Sequence, residues 1–143
     1  MIPTKRKITV EQAKEFSGLV LPEIAKVGVF VNEHMKLIVD LFKDGIIEMA
    51  QLHGDEDEKY IRNLKDKSIE ETGKQIPVIN AIEIKEGADY DDELLKWRDS
   101  ASDYFILDSG KGSGKTFDWS LIDKESEFFK NSIFLAGGLN SEN

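Results

Sequence analysis

Five short apolar runs punctuate the chain: Lys26 to Val31, Glu48 to His53, Ile76 to Ile84, Asp103 to Asp108 and Ser132 to Ala136. Most are nearly continuous in apolar side chains rather than alternating. A parallel strand covered on both faces reads this way, because neither side of it meets water. Between the runs the apolar spacing changes to that of helices, which parallel crossovers require. The pattern predicts strand and helix in alternation, the signature of an α/β fold.

The helices carry their own start and stop signals. Thr9 with Gln12 forms a capping-box pattern for a first helix that places Ala13, Phe16 and Val20 on one side. Asn32 is positioned to cap a second, in which Met35, Ile38, Leu41 and Phe42 make an apolar stripe that Gly45 ends. Asp55 is positioned to cap a third, carrying Tyr60, Ile61 and Leu64 toward the sheet. Leu94, Leu95 and Trp97 mark a fourth, and Leu121, Ile122, Phe128 and Phe129 a less regular fifth. Such alternation builds either an open doubly wound sheet or an eight-stranded barrel. No linker or low-complexity segment interrupts it, so residues 1–143 read as a single domain.

Charge narrows the partners. With 28 acidic against 19 basic residues the formal net charge is −9, which argues against a general nucleic-acid or anionic-membrane surface. No window approaches the roughly 18 consecutive apolar residues of a membrane span. The first residues have no apolar signal-peptide core behind them, so a cytoplasmic location is expected. The 143 residues contain no cysteine, which removes disulfides, thiolate metal sites and a cysteine base from this stretch. With His34 and His53 as the only histidines, no metal site is expected. The acidic runs Asp55 to Glu58 and Asp89 to Glu93 read as solvated helix starts, where carboxylates complement the helix dipole. A metal site is the sharper alternative for each, but no ligand spacing is recognisable.

Candidate chemistry gathers where the strands end. In parallel α/β folds ligands bind outside the carboxyl ends of the strands. Asn32 follows Val29-Phe30-Val31, His53-Gly54 follows Met49-Ala50-Gln51-Leu52, Asp108 follows Phe105-Ile106-Leu107, and Gly137-Gly138 follows Leu135-Ala136. The glycine-rich loop from Gly110 to Thr116 is not a nucleotide-binding P-loop, which needs four residues between its first glycine and the Gly-Lys-Thr ending. A strand-end carboxylate followed by glycines that let backbone approach a phosphate points instead to a phosphosugar enzyme.

Several segments, in order, carry a closer likeness. They are Arg6 with Ile8-Thr9-Val10-Glu11-Gln12-Ala13, Val27-Gly28-Val29-Phe30-Val31-Asn32, Gln51-Leu52-His53-Gly54, Leu107-Asp108, Gly112-Ser113-Gly114-Lys115-Thr116-Phe117-Asp118-Trp119, and Ala136-Gly137-Gly138-Leu139-Asn140. On these residues the chain resembles the phosphoribosylanthranilate isomerases, (β/α)8 TIM barrels of tryptophan biosynthesis. The Phe-Asp-Trp helix start and Gln-Leu-His-Gly separate this family from neighbouring phosphosugar barrels, such as indole-glycerol-phosphate synthase or ribulose-phosphate epimerase, whereas Gly-Gly alone does not.

The resemblance implies a cofactor-free Amadori rearrangement of a phosphoribosylated anthranilate. It makes Asp108 the general acid and Arg6 the contact for the anthranilate carboxylate. It places Gly112, Gly114, Gly137 and Gly138 near the substrate, the last two at its phosphate, with Lys111 and Lys115 adding positive potential and His53 nearby. It also implies a cysteine general base on a first strand that has no counterpart here. An incomplete barrel is therefore expected, lacking the family's strands one, two and eight, inactive as an isolated chain and prone to self-association through exposed strand edges. A non-catalytic phosphate-binding or oligomerising barrel fragment is the alternative.

Overall fold

The computed structural model describes residues 6–83, 97, 100–108 and 133–136. The chain divides into two compact units, Met1–Val78 and Ile79–Asn143. All five predicted strands form, each slightly shorter than its apolar run. The first unit holds α1 (Val10–Leu19), β1 (Val27–Phe30), α2 (Met35–Lys43), β2 (Met49–Leu52) and α3 (Glu58–Thr72). The second holds β3 (Val78–Glu83) from its second residue onward, β4 (Tyr104–Asp108) and β5 (Ile133–Ala136). The fourth helix expected around Leu94 and Leu95 and the fifth around Leu121 and Phe128 lie outside the described residues.

In the first unit β1 pairs with β2 in parallel, Gly28 opposite Ala50 and Phe30 opposite Leu52. Parallel pairing needs a crossover, and α2 supplies it. Its apolar stripe buries Ile38, Val39 and Leu41. Helix α3 packs beside α2 and buries Ile61, Leu64, Lys65 and Ser68, spaced three and four apart as one helical face requires. Ala50 and Leu52 of β2 are fully buried.

The expectation that both strand faces are covered fails at β1. Val27 is 41% and Val29 60% exposed, as are Val31 and Phe16 at about half. Helix α1 buries none of its residues, so Ala13, Phe16 and Val20 do not form the covered face that their spacing suggests. Its start follows expectation: Thr9 Oγ1 accepts the Gln12 N–H and the Gln12 side chain accepts the Thr9 N–H. Lys26 anchors the chain after it, its Nζ donating to Ser17 Oγ at 2.8 Å and to the Gly45 carbonyl at 2.7 Å.

Two predicted caps are displaced. The residue before α2 is His34, with no side-chain cap bond, and the cap of α3 is Asp57, whose carboxylate accepts the Tyr60 N–H. Asn32 and Asp55 are engaged with one another instead, as described below. Helix α3 ends at Gly73, in the left-handed region at φ 73, where its N–H reaches the Ile69 carbonyl at 2.8 Å. A Cβ there would meet nothing within 4 Å, so backbone strain alone opposes a side chain. Gly73→Ala is expected to lower stability by about 1 kcal/mol in urea denaturation with the slope unchanged.

In the second unit β3, β4 and β5 lie parallel in chain order. The register places Asn80 opposite Phe105 and Ile82 opposite Leu107, all four buried. The alternate positions show the other face, with Tyr104 and Phe134 in a tilted ring contact at 5.8 Å and Asp108 half-buried at the end of β4. That alternation sets which residues a ligand at the strand ends can reach.

Candidate active site

Asp108 is the last residue of β4, opposite Glu83 on β3 and Ala136 on β5. The strand ladder therefore fixes its backbone on both sides and puts its side chain at the carboxyl end of the sheet. Glu83, at the end of β3 and exposed, brings a second carboxylate to the same level and the same face. The apolar run Ile76 to Ile84 marks Glu83 only as a strand residue. The period of two, counted from Asp108 across the register, would have found it.

The carboxyl ends of β1 and β2 carry a second set of groups. His53 follows β2 directly, half-buried, and its N–H donates to the Phe30 carbonyl at 2.9 Å. Asn32 stands after β1 at φ 51, an uncommon backbone region that Asn tolerates better than most residues. Its side-chain oxygen accepts the Asp55 N–H at 2.8 Å and its amide donates to Asp55 Oδ2 at 3.3 Å. Glu56 accepts the Asn32 N–H at 2.7 Å on one oxygen and the Gly54 N–H at 2.8 Å on the other. A Cβ on Gly54 would lie 2.7 Å from Asn32 Oδ1 and 2.9 Å from its backbone N, so these loops approach as closely as they do because residue 54 has no side chain.

Glu56 corrects the reading of Asp55 to Glu58 as a solvated helix start. It is 7% exposed, outside α3, and bonded to two loops. Its neighbours Asp55 and Asp57 are exposed. With Glu33, Asp57 and Tyr60, the residues Asn32, Asp55 and Glu56 line a cleft of about 280 Å³. Four carboxylates in that lining disfavour an anionic ligand, so the cleft is not a phosphate pocket.

Tyr60 lines the cleft and donates its hydroxyl to the Glu33 carbonyl at 2.6 Å. Its phenol is pushed up to about 12 from the ordinary 10.0, first by burial and then by the negative charges of Glu56 and Glu33. The unfolded chain loses that proton near pH 10 and the folded chain near 12. Folded protein therefore holds more protons across that window, and stability falls as pH rises through it. In an alkaline absorbance titration one tyrosine is expected to ionise near pH 12, and Tyr60→Phe should remove that component.

The other predicted contacts are placed only in part. Arg6 is exposed, in a turn before α1. Gly112, Gly114, Gly137 and Gly138, with Lys111 and Lys115, lie outside the described residues. Among the described residues no helix is long and apolar enough to cross a membrane.

Residues 2–143 match the family of N-(5'-phosphoribosyl)anthranilate isomerases. The chain belongs to this family. The N-(5'-phosphoribosyl)anthranilate isomerase of Endomicrobium trichonymphae is 39% identical over 97% of this chain and 64% of its own length. The crystal structure of the phosphoribosylanthranilate isomerase of Thermotoga maritima superposes with a TM-score of 0.74 at 36% identity, over 98% of this chain and 64% of that one. A further isomerase, solved in complex with reduced 1-(o-carboxyphenylamino)-1-deoxyribulose 5-phosphate, gives 0.70 at 34%, covering 98% and 62%. The fold is thus of the TIM-barrel class, and the chain spans just under two thirds of the length of these isomerases.

Proposed function

We propose that these residues form the acid-bearing part of a phosphoribosylanthranilate isomerase, corresponding to strands three to seven of the family's eight. The observation that carries this reading is Asp108, held at the carboxyl end of a central parallel strand within a family match that runs from residue 2 to 143. In the reaction Asp108 gives its proton to the ribose ring oxygen as the bond from that oxygen to C1′ breaks. The anilino nitrogen lone pair moves in to form an iminium at C1′. A base then takes the C2′ proton, leaving an enol that tautomerises to the 2-ketone. Atoms and electrons balance within the substrate, so no cofactor is called for.

The relative solved with the reduced carboxyphenylamino-deoxyribulose phosphate supports a substrate of the same chemistry here. Arg6 suits its carboxylate, because a guanidinium donates in a planar fork. Gly112, Gly114, Gly137 and Gly138 suit close backbone approach to the substrate, and His53 follows the carboxyl end of β2. The 143 residues contain no cysteine, so the base of the resembled mechanism has to come from outside them. We further propose a cytoplasmic setting, in keeping with tryptophan biosynthesis.

The test is growth. A bacterial strain without its own isomerase should grow without tryptophan when it expresses this chain together with the first two and last strands of a relative. Failure to grow with every piece present and soluble would refute the reading.

Self-association is proposed on separate grounds. Val27, Val29 and Val31 leave apolar surface open on and beside β1, and an open strand invites pairing. Light scattering should show a dimer or larger species of the isolated chain. A monodisperse monomer at high concentration would contradict it.

A further inference from the structure

We infer that Glu56 is a positioning residue, which locks the loop after β2 to the loop after β1 and so fixes how Asn32, His53 and Gly54 stand at the carboxyl ends of the strands. The inference rests on the isomerase reading for its substrate and on geometry for everything else. Both oxygens of the Glu56 carboxylate are used, one on the Asn32 N–H and one on the Gly54 N–H. The donors are backbone groups from two different loops, so a single buried side chain determines the distance between them. Hydrogen bonds to an ionised acceptor are shorter and about twice as strong as neutral ones. That strength offsets the unfavourable φ of 51 at Asn32.

The chemistry requires a carboxylate. A glutamate offers only acceptors, whereas a glutamine of the same shape would turn an NH2 group toward one of the two N–H donors and leave it unpaired. An aspartate is one methylene too short to span both loops. His53 sits inside the clamp: its own N–H is bound to the Phe30 carbonyl, and the next N–H, of Gly54, is bound to Glu56. Its backbone is thereby tied on both sides to the β1 end, and the direction in which its ring leaves the chain follows. Glu56 itself does not touch the reacting atoms.

The experiment pairs amide hydrogen exchange by NMR with titration of the reduced carboxyphenylamino-deoxyribulose phosphate, on the chain supplemented with the outer strands. In Glu56→Gln the amide of Asn32 or of Gly54 should exchange about tenfold faster or more, and in Glu56→Asp both should, while those of Ile61 and Leu64 keep their protection. The analogue should bind about tenfold more weakly to both variants. Unchanged exchange at Asn32 and Gly54 would overturn the clamp. Faster exchange with unchanged analogue binding would overturn the positioning role and leave a merely structural one. If the unaltered protein itself ignores the analogue, the isomerase reading falls and the substrate half of the inference with it, while exchange still decides whether Glu56 sets the loops.

Discussion

Replacing Asp108 with Asn should lower turnover of phosphoribosylanthranilate by about 10²- to 10⁴-fold in the supplemented enzyme, the range that one positioned proton donor contributes. The substitution keeps the size and planarity of the side chain, and β4 stays paired with both β3 and β5, so the fold is not at risk. What disappears is a group able to give a proton to the ring oxygen and hold the resulting charge. The loss should fall on kcat, with KM little changed, because an amide still fills the space and accepts hydrogen bonds. A variant retaining more than about a tenth of the activity would show that the acid lies elsewhere. Glu83, one strand away at the same level, would then be the first alternative.

The second large effect is on stability. Leu64→Ala should cost about 2–5 kcal/mol, because Leu64 is fully buried on the face of α3 that carries Ile61 and Ser68. Helix α2 packs beside α3, so the vacated volume opens within a buried layer with little room to relax. Ser68 raises the cost of any shift of this helix. Its hydroxyl donates to the Lys65 carbonyl at 2.6 Å and accepts the Ile76 N–H at 3.0 Å, joining α3 to the chain that enters β3. Urea denaturation should show an earlier midpoint with the same slope. A change below about 1 kcal/mol would mean that α3 is packed far more loosely than its burial indicates.

The strands were legible because continuous apolar runs ending in Asn32, His53 and Asp108 leave little else for the backbone to do. The capping box at Thr9 was legible for a similar reason, since both partners lie within four residues. Helix α3 shows where local reading stops. Asp55 reads as its cap, yet Asp57 takes that place, because Asp55 is drawn to the amide of Asn32 on another loop. No spacing rule carries that information, as the two residues are far apart in sequence. Glu56 was hidden in the same way, one acid among neighbours that face water. The exposed valines of β1 were misread because strand composition reports how a residue can be covered, not whether anything covers it. The backbone demand at Gly54 is visible only once Asn32 is seen against it.

The central claim is that these residues hold the acid and substrate contacts of an isomerase whose base lies elsewhere, and loss of substrate fluorescence tests it most directly. Freshly generated phosphoribosylanthranilate would be mixed with the purified chain alone, and then with the chain plus separately made pieces carrying the family's first two strands and its eighth. The chain alone should give no turnover, and isomerisation should reach a rate typical of enzymes, roughly 1 to 10³ per second, once the pieces are added. Turnover at such a rate by the chain alone would contradict it, because a base would then have to exist among the 143 residues.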